Sequence, residues 1–275
     1  MLVRTPSRRA GFTLIELLVS LVMLAVVGNA ILAMMVAMQR ITRQQSETAA
    51  LQGNLRTGMQ LLQGELVELA AGDITTMAND KVGYRAMRGL GETCEVTTAS
   101  VKLRRSTYGG LRGPTADRDG LWLYLDADTT QSNDDQWKPF AMTAVATSTC
   151  PDGSDAWRLT VALSAADSAS AGVPGPVRTY EDMEIGQVQE DGLEWLGIRS
   201  IGFGETSLVP VSGPVAWNGV RFAYRDLNDA ATTNPAEVET IRVTLRGVTE
   251  RPVGVNAGGA YSRSDSLLLR IRLRN

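Results

Sequence analysis

One long apolar stretch dominates the start of the chain. Between Leu17 and Met38 the only residues outside the apolar set are Ser20, Gly28 and Asn29, and the next charge is Arg40. A helix rises ~1.5 Å per residue, so these positions span ~33 Å, enough to cross a hydrocarbon layer of ~30 Å. The pattern predicts a membrane-spanning helix.

A helical pattern continues beyond this stretch. From residue 51 onward, large apolar residues recur at intervals of three and four, with Gln, Arg and Glu on the other faces. They are Leu51, Leu55, Met59, Leu62, Leu66 and Leu69. No proline lies between Pro6 and Pro114, and Gly72-Asp73 is a stop signal. We therefore expect one helix from about Thr13 to Ala71.

This helix divides into two halves with different surroundings. We expect residues 12–38 to form a membrane half and residues 39–71 to form an amphipathic half. A coiled-coil stalk is the alternative for the second half. Its apolar stripe is short, however, and Gly53, Gly58 and Gly64 interrupt it. We expect this half to pack on the protein's own sheet.

Beyond residue 72 the pattern has the period of two that is typical of strands. The predicted strands are Val96–Arg104, Gly120–Leu125, Trp157–Leu163, Val220–Tyr224, Ile241–Leu245 and Leu267–Leu273. Loops rich in turn formers separate some of them, at Ser164–Val177, Thr206–Gly219 and Asp226–Glu237. Strands with one polar face suit an antiparallel sheet under a helix. The fold class is α+β, with one globular β-rich head over residues 72–275.

Charge and composition limit the classes of function that the chain can have. Arg4, Arg8 and Arg9 precede the apolar stretch and no Asp or Glu does, which predicts export of the remainder. The chain has 27 basic and 30 acidic residues and no histidine. The absence of histidine removes Ser-His-Asp and Cys-His nucleophiles and the commonest zinc ligand. We expect neither an enzyme nor a cofactor. Arginine alternates with apolar residues in the last strands, which indicates a solvated strand face, so we expect no nucleic-acid partner.

Glu16 is the anomaly of the apolar segment. A carboxylate within a membrane helix costs about 2.5–3.5 kcal/mol on insertion scales and therefore calls for a function. A cleaved secretory signal has an apolar region of about 7 to 15 residues, shorter than this one. An uncleaved signal anchor fits the length but gives Glu16 no role.

The string Gly11-Phe12-Thr13-Leu14-Ile15-Glu16 after a basic leader resembles the class III signal of type IV pilins and type II secretion pseudopilins. The resemblance implies a leader peptide of residues 1–11, cut after Gly11 by prepilin peptidase. It also implies N-methylation of Phe12 and a subunit-assembly role for Glu16, whose carboxylate would meet the Phe12 amine of a neighbouring subunit. In the low dielectric of the filament core an unpaired charge is costly, so the contact can check register.

The family resemblance also implies partners and a location. The partners are prepilin peptidase, other major and minor pilins or pseudopilins, and inner-membrane lipid before assembly. The protein would cross the inner membrane once, with its head in the periplasm, and then enter an extracellular pilus or a periplasmic pseudopilus. The large head and the terminal "RLRN" resemble the PilW-like minor pilins, which act in initiation or at the tip. A minor pseudopilin and a signal-anchored periplasmic binding or enzymatic domain are the alternatives.

Two further features concern the head. Cys94 and Cys150 both follow the membrane segment, so export would favour a disulfide between them over two free thiols. The loop from Asp126 to Asp135 offers oxygen ligands, and Asp126, Asp128 and Asp134 are weak candidates for calcium. Gln131 stands where an EF-hand loop needs glycine and Trp137 where it needs glutamate, so a solvated turn is the preferred interpretation.

Overall fold

The computed structural model describes residues 13–274 except 111, 129, 132–134, 257 and 258. Within them lie two α-helices, α1 (Leu14–Leu66) and α2 (Ala165–Ser170), and fourteen strands. The strands are β1 (Ile74–Met77), β2 (Lys81–Val96), β3 (Ser100–Arg104), β4 (Gly109–Gly110), β5 (Asp119–Leu125), β6 (Gln136–Thr149), β7 (Asp155–Val161), β8 (Pro176–Glu190), β9 (Leu193–Ser200), β10 (Val209–Arg225), β11 (Thr240–Val248), β12 (Gly254–Asn256), β13 (Gly259–Tyr261) and β14 (Ser264–Arg272). Short 3-10 helices cover Ala71–Asp73, Arg105–Thr107 and Pro235–Glu237.

The long helix forms as expected but ends earlier. It has 53 residues, which corresponds to about 80 Å. We expected it to reach Ala71, and it ends at Leu66. The reason is tertiary: Leu69 is buried, and Ala70 forms a bridge with Arg274. The amide of Arg274 donates to the Leu69 carbonyl at 2.9 Å, so the chain leaves the helix to meet the end of the last strand.

The sheet under the helix is antiparallel, as predicted. Its strands lie in the order β1-β2-β8-β9-β10-β11-β14, and each adjacent pair runs antiparallel. The second half of α1 packs on this sheet, which confirms the preference for packing over a coiled-coil stalk. The main core lies between them. Its helix side chains are Leu51, Leu55, Leu62 and Leu66.

A second core lies in a closed ring of strands. β2 pairs with β3, β3 with β7, β7 with β6, β6 with β5, β5 with β8, and β8 returns to β2. Leu103, Leu121, Leu159 and Val177 are among the fully buried residues in this small barrel. The long strands β2 and β8 belong to both the sheet and the barrel. They therefore join the two cores into one head.

Several strand predictions need correction. Each of the six predicted strands overlaps an observed one, but Val96–Arg104 contains the end of β2, a turn and β3. The predicted loop Thr206–Gly219 is wrong from Val209 onward, where β10 begins. Its prolines and glycines are accommodated because the register between β9 and β10 shifts around Ser212. The loop Asp226–Glu237 holds no strand, in agreement with the prediction.

Candidate membrane and assembly helix

The first half of α1 is bare, meaning that the described chain buries none of its residues. Between Leu14 and Ser46 no residue is buried, and apolar side chains there are open, such as Leu14 at 82% and Leu24 at 70% exposure. In the described part of the chain, α1 is the one helix long and apolar enough to span a membrane, and none of its most apolar window is buried. The core helix of a soluble protein would bury such residues. This surface is suited to lipid or to other helices.

The start of the helix is built around Glu16. Thr13 is extended, and its hydroxyl oxygen accepts from the Glu16 amide at 3.3 Å, which caps the helix. The same hydroxyl lies 3.5 Å from Glu16 Oε2. Gly11 and Phe12, the predicted cleavage and methylation positions, lie outside the described residues. The structure thus places Glu16 in the first turn, where a carboxylate also meets the positive end of the helix dipole.

The second half of α1 is fastened to the sheet at a close approach. A Cβ at Gly58 would lie 2.8 Å from Leu245 Cδ2 and 3.0 Å from Ser212 Oγ, so a larger residue would have to displace these side chains. Near it, the Ser212 hydroxyl donates to the Asn54 backbone carbonyl at 2.6 Å, and Asn54 Nδ2 donates to the Gly213 carbonyl at 2.5 Å. These bonds fix the direction in which the bare half of the helix leaves the head.

A buried carboxylate that was not predicted from the sequence, Glu181, lies at the junction of sheet and barrel. Arg88 donates to it at 2.8 Å, Arg112 at 3.3 Å, and Arg118 and Ser200 also bond it. Burial alone would raise its pKa, but the hydrogen bonds from Ser200, Arg88 and Arg118 outweigh that effect and lower the pKa to about 2. Glu181 therefore stays ionised and holds four segments together.

The Glu181 cluster is completed by a second acid. Asp119 is 5% exposed, accepts both terminal nitrogens of Arg112 and also accepts the Thr115 amide at 2.8 Å. Every described carboxylate oxygen in the cluster is thus engaged by a cation or an amide. The arrangement is that of a structural ion-pair network. One signal for it in the sequence is the pair Glu181-Asp182 inside an otherwise strand-like segment.

Cys94 and Cys150 are joined by a disulfide in the structure, with their Cα atoms 5.7 Å apart. Cys94 lies in β2 and Cys150 follows β6, so the bond connects two strands of the barrel that do not pair with each other. Both side chains are buried with Ala156.

The acidic loop does not gather a metal site among the described residues. Asp128 accepts from the Thr130 amide at 3.0 Å, the Thr130 hydroxyl at 2.7 Å and Gln131 Nε2 at 2.9 Å. These bonds lower the pKa of Asp128, the Thr130 hydroxyl contributing most. Asp134 lies outside the described residues, and no group of three acidic, Cys or His side chains suited to a metal occurs in the described part. Asp128 thus belongs to a hydrogen-bonded turn, whereas the Asp126 amide donates to the Ser170 carbonyl at 2.8 Å.

Comparison with known families gives one match. A family model described as the prokaryotic N-terminal methylation motif matches residues 6–28. The chain matches no curated protein and no solved structure. The match covers residues 6–11 of the expected leader with Arg8 and Arg9, the predicted cleavage position, Glu16 and the first part of the bare helix. It supports a class III signal of the kind found in type IV pilins and pseudopilins, and with it a structural subunit.

Proposed function

We propose that this protein is a minor pilin-like subunit that takes part in the initiation or tip assembly of a type IV pilus. One observation carries the proposal: the helix that begins within the matched motif is bare and apolar as far as Met38, with Glu16 in its first turn. A monomer would leave this surface uncovered outside a membrane. Lipid before assembly and neighbouring helices after it would cover the surface in turn.

Processing would create the partner of Glu16. Cleavage after Gly11 by prepilin peptidase leaves a cationic, methylated amine at Phe12. In the assembled filament the Glu16 carboxylate of one subunit would pair with this amine on another. A subunit in the wrong register would leave both charges unpaired. Because water is scarce in the filament core, unpaired charges there are costly.

The size of the head favours a minor position. The head adds a closed barrel to the sheet that covers α1, and it extends over about 200 residues. Major subunits must pack around the filament many times, and a bulky head limits such lateral packing. A place at the tip or in a priming complex needs fewer neighbours.

A gene deletion with complementation tests the pilus role. We expect the deletion strain to lose surface pili and twitching motility, and the wild-type gene to restore both. Unchanged pili with a loss of secreted exoproteins would instead make the protein a minor pseudopilin of a type II secretion system. Unchanged pili and unchanged secretion would leave a signal-anchored periplasmic domain, and the proposal would be wrong.

A further inference from the structure

Four arginines surround the place where α1 leaves the head, and we call them the basic collar: Arg40, Arg43, Arg251 and Arg263. All four are exposed. Among the residues that the structure describes, none of them has a carboxylate within ion-pair distance. Elsewhere in the head many arginines are paired, as the Glu181 cluster illustrates. The collar is thus a group of exposed positive charges without an ion-pair partner among the described residues.

Two arginines of the collar, Arg40 and Arg43, line a crevice. The β12–β13 hairpin lies beside α1 and is tied to it where Gln44 Nε2 donates to the Val253 carbonyl at 2.5 Å. Between them is a crevice of about 500 Å³, whose lining includes Arg40, Arg43 and Tyr261. The Tyr261 ring packs over Gly254, where a Cβ would lie 2.7 Å from Tyr261 Cε1.

Arg263 and Arg251 complete the collar from the head. Arg263 lines a second hollow against Ile41 and Gln45. The amide of Arg251 lies 3.5 Å from a carboxylate oxygen of Glu47, which brings Arg251 beside the same turn of α1. Glu47 is about 6 Å farther along the helix than Arg43, on the side away from the apolar stretch. Positive groups therefore lie beside two adjacent faces of α1, just beyond that stretch.

The position along the helix identifies the ligand. The apolar stretch ends at Met38, and Arg40 to Gln44 lie roughly 3–9 Å beyond it. With a hydrocarbon layer of ~30 Å and a total thickness of ~40–45 Å, each headgroup layer is about 5–7 Å deep. Arg40 and Arg43 are therefore at the level of the lipid phosphates, and Arg251 and Arg263 border that level on the head side. Tyrosine at this depth is typical of the membrane interface.

We propose that the basic collar binds the phosphates of anionic phospholipids, such as phosphatidylglycerol, in the leaflet that faces the head. The guanidinium groups supply paired N–H donors for phosphate oxygens, and Tyr261 rests at the interface. Before assembly, the collar keeps the head bound to the surface of the bilayer. This inference rests on the membrane anchoring in the proposed function.

Equilibrium binding of fluorescent phosphatidylglycerol to the full-length protein in neutral detergent tests the collar. We expect the wild type to bind phosphatidylglycerol more tightly than phosphatidylcholine. Arg40→Gln/Arg43→Gln should weaken phosphatidylglycerol binding by roughly fivefold for each guanidinium removed. Gln is as good a helix former as Arg, so the helix should persist. Arg251→Gln/Arg263→Gln removes the two head arginines and provides an independent test should the helix variant fold poorly.

The matched control is Arg56→Gln/Arg246→Gln, which removes two exposed arginines away from the collar. Arg56 lies about 20 Å farther along α1 than Arg43. This variant should bind phosphatidylglycerol like the wild type. Equal affinity of the wild type for both lipids, equal weakening by the control, or displacement of the lipid by equimolar inorganic phosphate would overturn the proposal. The assay needs neither methylation nor filaments, so its failure is distinct from failure of the proposed function.

Discussion

Glu16 is the residue on which the assembly account depends most. We expect Glu16→Ala to be inserted and cleaved normally, because neither the apolar stretch nor Gly11-Phe12 changes. The variant should, however, impair filament assembly, since the Phe12 amine of the neighbour would lose its partner. Electron microscopy of sheared filaments, together with immunoblots of the processed form, measures both properties.

Ser20→Ala is the control for this experiment. Ser20 lies one turn further along the same exposed helix, where its hydroxyl donates to the Glu16 carbonyl at 2.8 Å. Its removal should leave filament numbers unchanged. Normal filament numbers in the Glu16→Ala strain would refute the pairing role.

Glu181 makes the stability of the head depend on pH. Its pKa in the folded protein is about 2, below the ordinary value of 4.5. A depressed pKa stabilises the folded state above the ordinary pKa, and this contribution is lost as the pH falls from about 4.5 to about 2. The contribution amounts to roughly 3 kcal/mol. Denaturant unfolding of the detergent-solubilised protein at pH 7, 4 and 2.5 should show this loss.

Glu181→Gln should destabilise the head at pH 7 by about 3–5 kcal/mol, because three arginines lose their buried partner. It should also reduce the pH dependence of the free energy of unfolding in the acid range. Glu190→Gln, on the exposed end of the same strand, is the matched control and should change neither quantity. A pH dependence that is the same in Glu181→Gln and the wild type would contradict the assignment.

At the scale of elements, the close contact at Gly58 sets how α1 lies on the sheet. Gly58→Val should destabilise the protein by about 1–3 kcal/mol, because the new side chain would meet Leu245 and Ser212. Gly64→Val is the matched control, since nothing lies within 4 Å of a Cβ there. It should stabilise slightly, by up to ~0.5 kcal/mol, through helix propensity. Thermal unfolding followed by circular dichroism compares the two, and equal effects would argue against the close packing.

The disulfide is the second device at this scale. It joins residues 56 apart in the sequence. Cys94→Ser/Cys150→Ser should lower the free energy of unfolding by up to ~4 kcal/mol on the chain-entropy model. Reductant should lower the free energy of unfolding of the wild type to the same extent, and it should leave that of the double variant unchanged. A wild type that is insensitive to reductant after full reduction would show that the bond contributes little.

The sequence predicted elements whose own pattern decides their structure. β11 and β14 alternate apolar and arginine residues and were found, as was α1, which has no proline and a long apolar face. β2 and β8 were missed because they carry buried polar residues where a strand pattern expects apolar ones. Thr93, Glu181 and Glu184 are all buried in these two strands. Their partners come from distant segments, which a local pattern cannot reveal.

At the scale of the whole molecule, the antiparallel head under a long helix was predictable, but the closed barrel was not. Closure depends on the pairings β3 with β7 and β2 with β8, which join residues far apart in the chain. The same holds for the basic collar. Arg40 and Arg43 follow the apolar stretch visibly, whereas Arg251 and Arg263 reach it only through the fold of the last strands.

The proposed function requires that this chain is a processed subunit whose mature N-terminal residue is Phe12. Mass spectrometry of the N-terminus of the protein purified from membranes tests this claim most directly. We expect a chain that begins with N-methyl-phenylalanine at Phe12 and lacks residues 1–11. A chain that retains Met1 would contradict it.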